Sequence, residues 1–139
     1  SQLGINRVQE FLNKIEYGNQ TTSSNLDLYW SDFSLKISPL EQVTLLKKFN
    51  TNEFHLNSQN VFSVKNAIKI ASTPNGNFYG KTGTGRVNGQ DINGWFIGYV
   101  ETSDNSYYFA TNIQSDSNAT GKKAFEITSD ILKKLHIWN

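Results

Sequence analysis

The tripeptide Lys81-Thr82-Gly83, followed by Thr84, sets a cation, a hydroxyl and a residue without a side chain in a row. On a strand that lines a cleft, such a row suits an anionic substrate. Lys81 meets a carboxylate as a compact point charge. Thr82 donates a hydroxyl hydrogen bond to the same carboxylate. Gly83 lets a flat ring lie against the backbone, since no side chain intrudes. The peptide N–H of Thr84 is then placed to face an oxyanion that develops on a carbonyl under attack. The same tripeptide also arises by chance in many chains, so its meaning rests on its neighbours.

Composition narrows the other chemistries. The 139 residues include no cysteine, which removes disulfides, zinc–thiolate sites and thiol nucleophiles. That leaves the redox compartment open, because exported proteins also lack cysteine. His55 and His136 are far apart and fit no metal-ligand pattern such as H-E-x-x-H, so no metal is expected. A net charge of +1, with acids and bases balanced, gives no case for nucleic acid or an anionic membrane surface. No apolar run approaches the roughly 18 residues of a membrane span, and no signal-peptide pattern is visible. Nine Phe, six Tyr and three Trp are too many aromatics for a disordered chain. The chain opens on Ser1-Gln2-Leu3 rather than Met, which predicts a start inside a longer gene product. Tagging or proteolysis is the alternative.

The elements that must hold the Lys81 row are readable from periodicity. Ile5, Val8, Phe11, Leu12 and Ile15 form one helical stripe, ended by Tyr17-Gly18-Asn19. Residues 20–27 are polar and read as a loop, and 29–37 as a short extended connection. Ser38, Pro39 and Glu41 start a helix as cap, first-turn proline and capping-box partner, with Leu40, Val43, Leu45 and Leu46 apolar before Asn50. A third helix is predicted over 58–71, with Val61, Val64, Ala67, Ile68 and Ala71 inward. After Pro74-Asn75-Gly76 the period changes to strands at 78–84, 95–100 and 107–113, rich in aromatic and β-branched residues. Asn88-Gly89 and Asp104-Asn105 are turn chemistry. A closing helix over 120–135 would bury Ala124, Ile127, Ile131 and Leu135. Helices, then strands, then a helix is an α+β order.

Several segments in this order resemble class D β-lactamases and the sensor domains of β-lactam signal transducers. They are Tyr17-Gly18-Asn19, Tyr29-Trp30, Ser34 to Gln42, Tyr79 to Gly85 and Gly94 to Glu101. The K-T-G tripeptide is a motif of β-lactamases and penicillin-binding proteins. The resemblance runs from about Gly4 to Leu135. It implies a β-lactamase/transpeptidase-like fold, an antiparallel sheet flanked by helices. Residues 1–139 would be the C-terminal part of a single domain whose nucleophile-bearing part lies elsewhere in the gene product.

In that family a serine of an S-x-x-K motif attacks the β-lactam carbonyl. The lysine of that motif, carboxylated by carbon dioxide, is the general base, and a serine of S-x-V shuttles protons. Neither motif occurs in this chain; Ser63-Val64-Lys65 is not S-x-x-K. No cofactor is implied beyond the carbon dioxide taken up outside these residues. The resemblance carries over Lys81, Thr82 and Gly83 as substrate-binding, Thr84 as oxyanion donor, and Trp30 as donor to the lysine carbamate. Tyr17-Gly18-Asn19 matches a motif near the pocket, although a helix terminator is its plainer reading. Trp30 also reads as a core aromatic, and Trp95 as core or cleft wall. Many class D enzymes place a carboxylate-holding arginine near the last helix; this sequence has Gly121-Lys122-Lys123 instead, with Lys122 a substrate-binding candidate and a solvated helix start its plainer reading. The resulting expectation is a β-lactam hydrolase, inactive as this fragment alone and exported to the periplasm, cell surface or medium. Its partners are the β-lactam and the rest of its own domain. The alternative is an extracellular sensor that is acylated and does not turn over. A third reading is a fragment that binds nothing by itself.

Overall fold

The computed structural model of the chain describes residues 4–22 and 34–139. Four strands, β1 (Lys69–Thr73), β2 (Gly76–Val87), β3 (Gln90–Thr102) and β4 (Ser106–Gln114), form one antiparallel sheet in the order β1-β2-β3-β4. Each strand pairs with its sequence neighbour through a tight turn, as Asn88-Gly89 and Asp104-Asn105 predict. Both Asn88 and Gly89 take positive φ, the geometry that matches the twist of the flanking strands. The register sets Lys81 opposite Ile97, Gly83 opposite Trp95 and Thr84 opposite Gly94.

Alternation gives the sheet two chemically different faces. One carries Phe78, Phe96 and Val100, buried under Ala124 and Leu132 of α4 (Gly121–Lys134), with Phe109, Phe125 and Trp138 packed around them. Phe96 meets Phe125 edge-on with ring centroids 5.0 Å apart, and Phe78 meets Phe96 at 6.1 Å in the same geometry. Such pairs add to the stabilisation of about 1.5–3 kcal/mol that each buried large apolar side chain brings. The other face carries Tyr79, Tyr99 and Tyr108, and α2 (Pro39–Asn50) lies against β3 and β4 on the sheet.

The predicted start of α2 is observed in full. The Ser38 side chain accepts from the Glu41 amide at 3.2 Å, and the Glu41 carboxylate accepts from the Ser38 amide at 2.8 Å. These are the two reciprocal bonds of a capping box. Leu45 and Leu46 are buried, whereas Leu40 stands exposed.

Three details of the sequence reading are corrected. Helix α3 covers only Ser58–Ala67, and the residues expected to continue it become β1. The reason is tertiary: the Gly80 N–H takes the Ile68 carbonyl at 2.8 Å, and Ala71 to Thr73 then pair with Phe78 to Gly76. Val64 and Ala67, expected inward, are exposed. On α4 the buried face is Gly121, Ala124, Thr128 and Leu132, while Ile131 and Leu135 are exposed. Helix α1 (Ile5–Lys14) ends before Gly18, and Leu12 is its buried residue. Of the predicted loop and extended connection, residues 23–33 lie outside the described residues.

Candidate functional site

Strand β2 is paired on both sides only in its first half. Its pairing with β1 runs from Gly76 to Tyr79 and ends with the Gly80 amide bonded to Ile68. In an antiparallel ladder the N–H and C=O of every second residue point to the same edge. The peptide groups of Thr82 and Thr84 therefore face the edge that β1 has left. A donor, the Thr84 N–H, and an acceptor, the Thr82 carbonyl, stand there two residues apart.

Lys81 projects from the opposite face to Thr82, because neighbouring side chains alternate. Its Nζ nevertheless curls to the open edge, where it donates to the Thr82 carbonyl at 2.6 Å. The ammonium and the Thr82 backbone thus meet at one edge. Gly83 sits opposite Trp95. A Cβ built at Gly83 would lie 3.7 Å from the Trp95 Cβ, an ordinary contact. Packing among the described residues therefore does not demand glycine at 83. A flat group approaching the backbone from outside would.

Thr84 turns its hydroxyl onto the face that α4 covers, and Oγ1 accepts from the Gly121 N–H at 2.9 Å. Gly121 is the first residue of α4, capped by Thr120, whose hydroxyl accepts from the Lys123 amide at 3.1 Å. The next residue, Lys122, is exposed in that first turn. The structure therefore brings Lys81, Thr82, Gly83 and Thr84 together with the helix turn that bears Lys122. Trp30 lies outside the described residues.

Tyr17-Gly18-Asn19 acts as a clasp. Asn19 Oδ1 accepts from the Lys36 amide at 2.9 Å, its Nδ2 donates to the Ser34 carbonyl at 2.8 Å, and its own amide donates to the Lys36 carbonyl at 2.9 Å. Gly18 is at φ 51°, and a Cβ there would fall onto the Lys36 carbonyl oxygen. The segment therefore joins the chain on either side of residues 23–33.

Sequence reasoning missed a second polar group on the Tyr79 face. Asn50 Nδ2 donates to Glu101 Oε1 at 3.1 Å and to the Tyr108 hydroxyl at 2.9 Å, and Lys65 lies 3.8 Å from the same Glu101 oxygen. Burial, and then the Glu101 charge, push the Tyr79 and Tyr99 phenols above their ordinary range. Both stay neutral. Polar and charged residues spread over α2, α3, β3 and β4 carry no local motif, so only the fold reveals the cluster.

An antiparallel sheet with a lysine-threonine-glycine strand at an open edge, backed by a C-terminal helix, is the β-lactamase/transpeptidase architecture. The chain belongs to the penicillin binding protein transpeptidase domain family, whose model matches residues 1–133. It is similar to the methicillin resistance mecR1 protein of Staphylococcus aureus, 45% identical over 94% of this chain and 22% of that protein. It is similar to the probable beta-lactamase YbxI of Bacillus subtilis, 38% identical over 95% of this chain and 47% of that protein. The solved C-terminal domain of the Bacillus licheniformis BlaR penicillin-receptor superposes with a TM-score of 0.93 at 45% identity, over 99% of this chain and 56% of that domain. The chain thus spans under a quarter of the mecR1 protein and about half of the two shorter relatives. Among the described residues no helix is long and apolar enough to cross a membrane.

Proposed function

We propose that the complete protein is a β-lactam receptor whose serine is acylated by the drug and stays acylated. The carrying observation is graded likeness: identity is 45% to the mecR1 protein and to the BlaR penicillin-receptor domain, against 38% to the probable beta-lactamase YbxI. The hydrolase reading favoured by the motifs alone becomes the second reading, supported by that same 38% over 95% of the chain.

In both readings the residues of this chain form one wall of the cleft. The ammonium of Lys81 and the hydroxyl of Thr82 hold the drug's carboxylate, with Lys122 adding positive charge nearby. Gly83 lets the fused ring approach β2. A serine from the rest of the domain attacks the lactam carbonyl. Its Oγ–C bond forms, the electron pair moves onto the carbonyl oxygen, and the Thr84 N–H stabilises that oxyanion. Collapse breaks the ring C–N bond, and the ring nitrogen takes a proton. Trp30 donates its indole N–H to the carboxylated lysine that serves as base. The domain works outside the cytoplasm, where the drug is met.

The test is a burst and steady-state measurement on the full-length protein with a fluorescent penicillin. One equivalent of stable adduct without further product is the expected result. Continuing product release would replace the receptor with the hydrolase, and absence of any adduct would sink both.

A further inference from the structure

Thr84 carries two functions on one residue. Its peptide N–H faces the open edge of β2, and its hydroxyl faces α4, 2.9 Å from the Gly121 amide. The first N–H groups of a helix have no intrahelical partner. Thr120 takes the one at Lys123, and the strand, through Thr84, takes the one at Gly121.

The fit around this bond leaves no slack. A Cβ at Gly121 would lie 2.7 Å from the Gly83 carbonyl oxygen, and 2.9 Å from both the Gly83 nitrogen and the Thr82 Cβ. Gly94, the register partner of Thr84, has the Thr120 carbonyl oxygen where its own Cβ would stand, at 2.4 Å. The Ala119 amide donates to the Asp91 carbonyl at 2.8 Å and ties the approach to α4 onto β3. Two glycines and one hydroxyl therefore sew the start of α4 onto the segment that holds the reacting groups.

We propose that the Thr84 hydroxyl and the Gly121 amide form a positioning clamp, which holds the Thr84 oxyanion donor and the Lys122 turn of α4 as one rigid unit. The proposal rests on the β-lactam reading above and adds to it a side-chain role for Thr84 and a role for Gly121. Thr84→Val keeps the shape and removes the acceptor, so the peptide group loses its anchor while Lys81 and Thr82 remain.

The experiment measures acylation of the full-length protein by a fluorescent penicillin over a range of drug concentrations. It separates noncovalent affinity from the rate at saturation. In Thr84→Val the saturating rate is expected to fall about tenfold, with affinity within about twofold of the parent, since misplacing a reacting group by a fraction of an ångström acts on the chemical step. Thr84→Ser retains the acceptor and should acylate within about twofold of the parent. A valine variant that melts lower yet acylates at the parental rate would make the bond merely structural and overturn the clamp. So would a serine variant as slow as valine. If valine prevents folding, Thr84→Cys, whose thiol accepts weakly, takes its place: intermediate slowing supports the clamp and parental speed overturns it. A parent that forms no adduct overturns the β-lactam reading itself, an outcome distinct from all of these.

Discussion

Asn50, the last residue of α2, reaches Glu101 on β3 at 3.1 Å, across 51 positions of sequence. The same amide nitrogen also bonds the Tyr108 hydroxyl at 2.9 Å. Tyr99, two residues from Glu101 on β3 and opposite Tyr108 on β4, is fully buried, and its hydroxyl has no partner among the described residues. The three groups should respond differently to deletion. Asn50→Ala leaves Glu101 and Tyr108 short of a donor and should cost about 1–3 kcal/mol in denaturant unfolding. Tyr108→Phe loses one neutral bond, about 0.5–1.5 kcal/mol. Tyr99→Phe removes an unpartnered buried hydroxyl and should be neutral or stabilising. A loss above about 1 kcal/mol in Tyr99→Phe would reveal a partner supplied by the rest of the protein.

Glu41 gives a pH dependence of known sign. Its hydrogen bonds from the Ser38 hydroxyl and amide hold its carboxyl below the ordinary value. A depressed folded-state value means that the bonded carboxylate stabilises the fold above the ordinary carboxylate range. That contribution is lost as pH falls through the folded value. Glu41→Gln should therefore flatten the acid limb of the stability profile and change little else in its shape. Urea midpoints measured from neutral to acid pH check this, and an unaltered acid limb would remove Glu41 from it.

Gly18 should be intolerant of substitution. At φ 51° a non-glycine residue pays roughly 1–2 kcal/mol for the left-handed backbone, and a Cβ also strikes the Lys36 carbonyl. Gly18→Ala should lower the melting temperature and raise hydrogen exchange at the Lys36 amide, which Asn19 otherwise holds. Unchanged exchange there would mean that the clasp does not depend on Gly18.

Local signals in the sequence carried far into the structure, and nonlocal ones did not. Ser38, Pro39 and Glu41 act within one helical turn, so the start of α2 was readable. The aromatic and β-branched runs at 95–100 and 107–113 marked the centres of β3 and β4. By contrast, Ile68 to Ala71 continue a helical spacing, yet Ile68 caps α3 and gives its carbonyl to the Gly80 amide, and from Lys69 the chain pairs with β2 as strand. On α4 the hydrophobic choice was Ile131 and Leu135, yet Thr128 is buried instead. Its hydroxyl bonds the Ala124 carbonyl at 2.8 Å and meets the Thr111 hydroxyl at 2.7 Å. A small residue wins there because α4 comes close to the sheet. In the candidate site, the Lys81 row and Lys122 were legible as types, while the Thr84–Gly121 bond spans 37 positions and needed the fold.

Lys81 and Trp30 should fail in distinguishable ways in the full-length protein. The Lys81 ammonium already lies at the open edge of β2 beside the Thr82 carbonyl, where a drug carboxylate would displace that internal bond. Lys81→Ala removes a charge-assisted contact worth about 1.5–3 kcal/mol, so acylation at low drug concentration should slow roughly tenfold or more. In the proposed function Trp30 acts instead on the base. Without its indole donor the lysine carbamate should be less populated, and acylation should slow because the serine would be activated in fewer molecules. Added bicarbonate raises carbamate occupancy by mass action, so it should restore part of the rate in Trp30→Ala and none in Lys81→Ala. Rates of both variants with and without bicarbonate decide the matter. A Trp30→Ala protein that acylates at the parental rate would return Trp30 to a packing role, and bicarbonate rescue of Lys81→Ala would remove Lys81 from carboxylate recognition.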